Sequence, residues 1–324
     1  MRKISKAVVT GGAGFIGSHI VDELIKRDVE TYVIDNLSTG SLNNLFQHKQ
    51  NKLLHVFVSD ARKIDDLLSG INDIDVVFHE AAIASVPKSV SEPMTVHDTN
   101  VNMTLEIMNF CVKTGVRRFV FASSAAVYGI VQGTPASEDM VCRPCSPYGA
   151  SKLTIENYLN AYQSTYGLEP ISLRYFNVFG PRQTLNDYSG VITVFVNQLL
   201  RREIPIVHGD GQQTRDFVNV KDIVHANMLA MESKNAVGET FNVATGNSTS
   251  ILQLLTVLKK ITKTQDIKDK FGPSRAGDVK FGLASIDKIR RILEFKPKPS
   301  ITEGLNEVVD FFRSSTTEVL HVWR

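Results

Sequence analysis

The sequence predicts an α/β fold, a doubly wound parallel sheet with a smaller α/β unit at its C-terminal end, and three observations predict it. Short apolar, β-rich runs alternate with longer stretches of helical period through roughly the first 180 residues. Those runs are mostly continuous rather than alternating, as strands buried on both faces are. Strand–helix alternation of this kind implies right-handed crossovers that cover a parallel sheet with helices. The runs fall at residues 7–10, 31–35, 53–59, 76–79, 119–122 and 171–174. Between them lie amphipathic segments, chiefly 17–27, 100–114 and 147–166.

After Arg174 the rhythm loosens. Residues 177–188 read as a Gly/Pro/polar loop, 190–202 as a helix and 204–207 as a short strand. Residues 217–232 and 240–243 read as a helix–strand unit returning to the sheet. From Ser250 onward two amphipathic helices flank a loop at 271–278, and the stretch from about 314 carries no motif. The expected division is one domain from 1–176 plus about 216–245, and a second from about 177–215 plus 246–324.

A chain of 324 residues with 43% hydrophobic and 22% charged residues buries a sizeable core. A formal net charge of +2, with no Lys/Arg run, gives no footing for nucleic acid. The N-terminus enters a strand directly, and no stretch approaches the roughly 20 apolar residues of a membrane span. The expectation is a cytoplasmic protein. Cys111, Cys142 and Cys145 suggest no disulfide framework. The Cys142-x-x-Cys145 pair has no second ligand pair to complete a zinc site, so it reads as incidental and no metal is expected.

The first strand ends in Gly11-Gly12-Ala13-Gly14-Phe15-Ile16-Gly17 and a helix follows at once. Glycines there permit a tight turn and let a pyrophosphate approach the backbone, and the helix N-terminus supplies free N–H groups. The second strand ends in Asp35, 18 residues beyond Gly17. A carboxylate at that place accepts hydrogen bonds from a ribose and repels a 2′-phosphate, and no Arg or Lys follows within 36–47 to hold one. This is the Rossmann-type pattern, and it selects NAD over NADP. Asp60, after the third strand, is placed to reach the adenine.

Tyr148 and Lys152 stand one helical turn apart on a common face. Ser124 lies just past the C-terminal end of the fifth strand, where open α/β sheets bind ligands. A phenol near pKa 10 is a poor base at neutral pH, so a neighbouring ammonium and the cofactor's positive charge have to lower it. Lys152 offers that ammonium, and the Ser124 hydroxyl can orient or relay the substrate proton.

The glycine motif, His79-Glu80-Ala81-Ala82, Asn100, Ser124, Tyr148-x-x-x-Lys152 and the run from Arg174 to Gly180 together resemble the extended short-chain dehydrogenase/reductase family. Within it the chain most resembles the UDP-hexose 4-epimerases over nearly its whole length. The resemblance implies that Gly11, Gly14, Phe15, Ile16, Gly17, Asp35, Asn36, Ser38, Gly40, Asp60, Ala61, Ala81, Ala82, Ala84, Asn100, Tyr148, Lys152 and Phe176 bind NAD. It likewise implies that Asn177, Val191, Arg215, Arg275 and Asp278 hold the UDP, a diphosphate being well matched by guanidinium donors. The implied reaction is 4-epimerisation through a 4-keto sugar, with Ser124, Tyr148 and Lys152 catalytic. Relatives also pair helices equivalent to 100–114 and 147–166 into a homodimer.

Dehydratases and decarboxylases of the family carry acidic residues just after the Ser/Thr. Here Ala125-Ala126 cannot act as acid or base. In the epimerases the residue four beyond the aspartate borders the sugar's 2-substituent. That position is Gly282, which leaves room for an acetamido group, so UDP-GlcNAc/UDP-GalNAc joins UDP-Glc/UDP-Gal as an expected substrate pair. A UDP-glucuronate 4-epimerase, with Lys88 as carboxylate partner, stays open. So does a non-catalytic NAD-binding regulator, although such proteins usually lose the Tyr or the Lys.

Overall fold

The computed structural model describes residues 4–131, 135–184, 190–274 and 282–321. Its centre is a seven-stranded sheet. The strands are β1 (Lys6–Thr10), β2 (Glu30–Asp35), β3 (Leu54–Val58), β4 (Val76–His79), β5 (Arg118–Ser124), β6 (Glu169–Tyr175) and a last strand, Thr240–Val243. Every pairing is parallel, in the order β3-β2-β1-β4-β5-β6 followed by Thr240–Val243. The chain reverses its direction of travel between β1 and β4. That is the switch point at which the carboxyl ends of the strands open a crevice.

Both faces are covered, which explains the unbroken apolar runs. Ala7 and Val9 of β1 pack with Val33, Phe78 and Leu173 against α1 (Phe15–Lys26) and a later helix, Val220–Glu232. Val8, between them, faces the other way with Ile34, Val77 and Phe121. There it meets α2 (Met103–Thr114) and α3 (Pro147–Tyr166). α3 begins where Ser146 accepts a hydrogen bond from Gly149 N and Pro147 takes the first turn; it ends at Gly167, whose φ of 70° is left-handed. Its observed span equals the one read from periodicity.

A separate core lies beyond the sheet. It joins α4 (Val191–Leu200), the helix Ile251–Thr262 and the helix Ile301–His321 through Phe195, Leu199, Leu254, Leu258, Leu305 and Val309. Four expectations need correction here. The loop at 177–188 opens with a strand, Asn177–Phe179, paired in parallel with Phe217–Asn219. Consequently the helix expected from 217 starts at Val220, capped by Asn219. Among the described residues three helices, not two, follow Ser250, because Asp287–Leu293 intervenes, and the last runs through the motif-free stretch to His321. The loop at 271–278 is partly strand, Lys270–Gly272, paired with Ile206–His208. The missed strands have two or three residues and partners distant in sequence, so no local pattern announced them. Among the described residues, no helix is long and apolar enough to cross a membrane.

Candidate active site

The glycine turn is built by steric exclusion. Gly11 adopts φ +70°, and a β-carbon on it would stand 2.7 Å from Ala81 N; one on Gly17 would stand 2.3 Å from Gly11 O. Only glycine lets the turn, the strand β4 exit and the start of α1 converge this closely. Gly14 caps α1 with no side-chain hydrogen bond, and the first turn of α1 has no acidic residue. The leading N–H groups of α1 are therefore unclaimed by side chains, and Phe15 and Ile16 contribute backbone to an anion-binding turn. The residues present fit a dinucleotide pyrophosphate.

Asp35 lies beside that turn, its Oδ2 accepting from Ala13 N at 3.0 Å and its Oδ1 from Leu37 N at 2.8 Å. Gly40 passes against it: a β-carbon there would meet Asp35 Oδ1 at 2.9 Å. Asn36 and Ser38 form an exposed turn through Ser38 N and Asn36 Oδ1. Asp60 accepts from Arg62 N and pairs with the Arg62 guanidinium, ahead of a buried Ala61. Ala81 and Ala82 line the exit of β4 half-buried, and Ala84 is exposed.

Asn100 is 1% exposed, and its amide is spent on the chain itself. Its Oδ1 accepts from Ile83 N, and its Nδ2 donates to Ile83 O and Ser151 Oγ. The structure thus gives Asn100 the task of holding the 81–84 loop to α3. His79 is also structural: its two ring nitrogens meet Thr10 and Thr104 hydroxyls at 2.7 and 2.8 Å. Burial, reinforced by the Lys152 charge, pushes the imidazole down to about 3, so it stays neutral.

Ser124, Tyr148 and Lys152 come together where β5 ends and α3 begins. The Ser124 hydroxyl accepts from Ala126 N at 3.2 Å and stands close enough to the Tyr148 phenol to favour its ionised form. Lys152 is 3% exposed; its Nζ donates to Ala122 O at 2.8 Å and stands 6.0 Å from the Tyr148 ring centre. Burial dominates the electrostatics of this pair. Burial raises the Tyr148 phenol, Ser124 pulls it down and Glu80 adds to the rise. Burial also pushes the Lys152 ammonium down to about 8, and Ala122 O accepts its hydrogen bond.

Phe176 is half-buried against Tyr128, with ring centres 6.4 Å apart. Beyond it opens a cavity of about 390 Å³. Asn177, Val191 and Arg215, all singled out in the sequence, share its wall with Gln183, His208 and Gln213. Asp216 fixes the floor by accepting from Thr245 N, Thr245 Oγ1 and Gly246 N. Gly282 N donates to Thr214 O at 3.0 Å, and a β-carbon on Gly282 would lie 3.4 Å from Arg215 Cδ. Lys88 sits half-buried on a short helix, Val86–Ser91, packed on α3 and apart from this cavity. Arg275 and Asp278 lie outside the described residues. Cys142 and Cys145 are free thiols, burial raises the Cys142 thiol, and the described residues contain no metal-binding cluster.

Sequence reasoning missed a second buried group. The Tyr175 hydroxyl donates to Glu80 Oε1 at 2.8 Å and accepts from Asn227 Nδ2 at 2.8 Å. These partners lie 95 and 52 residues apart, and no local spacing signals such a link.

A glycine turn at a sheet switch point, an aspartate at the end of β2 and a Ser–Tyr–Lys cluster beside them define a dinucleotide-dependent enzyme acting on a hydroxyl-bearing substrate. Residues 7–244 match the NAD dependent epimerase/dehydratase family, and the chain belongs to it. A UDP-glucose 4-epimerase of Mycolicibacterium smegmatis is 35% identical over 96% of this chain and 99% of its own. The structure of a UDP-N-acetylglucosamine 4-epimerase from Methanobrevibacter ruminantium, in complex with UDP-N-acetylmuramic acid, superposes with a TM-score of 0.91. It is 40% identical, covering 97% of this chain and 99% of that one. That of the Thermotoga maritima UDP-glucose 4-epimerase with UDP-glucose gives 0.90 at 38% identity, over 96% and 99%. A relative in Bacillus cytotoxicus, 32% identical over 95% of this chain and 98% of its own, is named UDP-N-acetyl-alpha-D-glucosaminuronate decarboxylase. The protein is an NAD-dependent isomerase of the UDP-sugar 4-epimerase type.

Proposed function

We propose that this enzyme inverts C4 of UDP-N-acetylglucosamine/UDP-N-acetylgalactosamine as well as of UDP-glucose/UDP-galactose. The observation that carries the reaction type is the turn after Ser124. Ala125 and Ala126 place no acid or base there, so elimination and decarboxylation lack their proton carriers and transient oxidation remains. For the N-acetyl sugars, support comes from Gly282 beside Arg215, a position without a side chain to crowd a 2-acetamido group, and from the 40% identical N-acetylglucosamine epimerase.

NAD, when bound, supplies the hydride acceptor and donor for C4. The protein's own residues do the rest. Tyr148 Oη takes the proton of the sugar 4-hydroxyl while Ser124 Oγ orients that hydroxyl. Lys152 holds positive charge near the phenolate. Asn177, Val191 and Arg215 hold the UDP in the cavity, with Arg275 and Asp278 completing its grip. The 4-keto pyranose turns while the diphosphate end stays fixed, and Tyr148 returns the proton to the oxygen on the opposite configuration. Proton and hydride both come back, so no net redox occurs.

In this reading residues 1–176 and 216–245 carry the cofactor, and 177–215 with 246–324 carry the UDP-sugar. Exposed Val112, Tyr158 and Tyr166 on α2 and α3 supply the apolar surface for a homodimer through paired helices. The test is turnover of UDP-glucose, UDP-N-acetylglucosamine and UDP-glucuronate by purified enzyme without added NAD, with products resolved by chromatography. Conversion of the first two to their 4-epimers is expected. Turnover of UDP-glucose without UDP-N-acetylglucosamine removes the N-acetyl assignment, and near-wild-type activity in Tyr148→Phe removes the mechanism.

A further inference from the structure

Among the described residues, Glu80 is the one carboxyl beside the reacting groups that the proposed chemistry leaves without a task. It follows β4 directly, its N–H donating to Thr10 O, beside the glycine turn. From there its side chain reaches past β5, the strand that carries Ser124, to the hydroxyl of Tyr175 at the end of β6. The Tyr175 hydroxyl has one proton. Since it accepts from Asn227 Nδ2, that proton goes to Glu80 Oε1. Tyr175 is 7% exposed and Asn227 0%, and Asn227 is further tied to Ile223 O on its own helix. The carboxyl is therefore fixed through Tyr175, itself held by Asn227, with Oε1 committed as an acceptor.

The charged and titratable groups facing Glu80 are few. Lys152 and Tyr148 lie on α3, Tyr175 on β6 and His79 on β4 itself. His79 is neutral, and Tyr175, raised well above its ordinary value by burial, is neutral as well. Lys152 forms no ion pair with Glu80, because its Nζ points at Ala122 O. The two charges still act on each other across the site, each favouring the other's ionised form.

We propose that Glu80 is a positioning residue for charge: held by Tyr175 and Asn227, its carboxylate sets the pH range over which the Tyr148–Lys152 pair works. The inference rests on the acid–base reading of Ser124, Tyr148 and Lys152. Ionised Glu80 keeps Lys152 protonated and makes the Tyr148 proton harder to remove. Burial lifts Glu80 to about 7, so this influence switches on near neutrality. Below that pH the carboxyl is neutral and Tyr148 is relieved of its repulsion. Above it, Lys152 gains a counter-charge that extends its ammonium form to higher pH. Both effects run in one direction: ionised Glu80 raises the pH at which Tyr148 and Lys152 each lose a proton, and so displaces the working range upward.

Glu80→Gln keeps an oxygen for Tyr175 to donate to and removes the charge. In the NAD-bound enzyme, the pH profile of kcat is expected to move to lower pH on both its acidic and its alkaline limb. The tyrosinate absorbance of Tyr148, taken as the difference from Tyr148→Phe, should titrate at lower pH in step. Tyr175→Phe keeps the carboxyl but loses its hydrogen bond, so it should shift the limbs the same way by less. Glu80→Asp should bring them back toward wild type. Limbs that move by less than about 0.2 pH unit in a folded Glu80→Gln enzyme, or that move upward, overturn the proposal. If Glu80→Gln does not fold, the same criterion applies to Tyr175→Phe. Activity persisting in Tyr148→Phe overturns instead the reading on which the proposal rests, so the two failures are told apart.

Discussion

Arg174 on β6 grips both carboxylate oxygens of Glu156 on α3, Nε to Oε1 at 3.0 Å and Nη2 to Oε2 at 2.7 Å, with both side chains 6% exposed. Ser123 Oγ donates the carboxylate's third bond, the second to Oε1, and Arg174 Nη1 reaches the Tyr128 hydroxyl. The fork thus ties the helix that carries Tyr148 and Lys152 to the strand position next to Ser124. Removing one partner strands a buried charge, which typically costs about 3–5 kcal/mol; replacing both with apolar groups removes most of that penalty. Glu156→Leu should therefore lose about 3 kcal/mol in urea unfolding. Arg174→Met/Glu156→Leu should recover at least half of it. A double variant as unstable as the single one would show that the pair's shape, not its uncompensated charge, matters.

Lys152 gives a second expectation. Its ammonium, pushed down to about 8 by burial, is fully charged below that pH and discharges as pH rises through it. Its support of the Tyr148 phenolate is therefore present on the acid side and lost on the alkaline side, so kcat should fall above about pH 8. Lys152→Met should abolish that alkaline limb and lower kcat by roughly 10²–10⁴-fold. An alkaline limb that survives the substitution would assign it to another group.

Gly282 packs against the strand Thr214–Arg215, where an added β-carbon would lie 3.2 Å from Thr214 O and 3.4 Å from Arg215 Cδ. A large side chain there presses on Arg215 and so on a wall of the cavity that Arg215 lines. Gly282→Tyr should therefore raise KM for UDP-glucose as well as for UDP-N-acetylglucosamine, with the larger loss in kcat/KM for the N-acetyl substrate. Equal losses for both would mean that Gly282 does not select the 2-substituent.

Much of the scaffold was legible because burial on two faces writes itself as unbroken apolar runs, and α3 carried both a start signal at Ser146-Pro147 and a stop at Gly167. The glycine turn was legible for the same local reason: its chemistry is contained in seven consecutive residues, Gly11 to Gly17. What escaped was encoded between distant segments. The strand Asn177–Phe179 exists only because Phe217–Asn219 lies beside it. The bonds of the Asn100 amide to Ile83 and Ser151 depend on how the 81–84 loop folds back, which local spacing does not report. Glu80 stood in plain view within His79-Glu80-Ala81-Ala82, but its link to Tyr175 depends on the order of the strands, which spacing along the chain does not report.

Glu80 also bears on stability, with a sign that separates it from an ordinary structural carboxylate. Its folded pKa, about 7, lies above the usual 4.5, so between those values the folded protein retains a proton that the unfolded chain releases. The stability that goes with that protonation is complete below about pH 4.5 and is lost as pH rises through 7. Glu80 is half-buried, so solvent screening reduces the effect to on the order of 1 kcal/mol. Glu80→Gln, which never ionises, should therefore unfold at higher urea than wild type at pH 8 and at nearly the same urea at pH 5. A gain of equal size at both pH values would mean that the substitution acts through packing. A loss at pH 8 would mean that the carboxylate is held favourably, by Lys152 and Tyr175, rather than tolerated for the sake of the site.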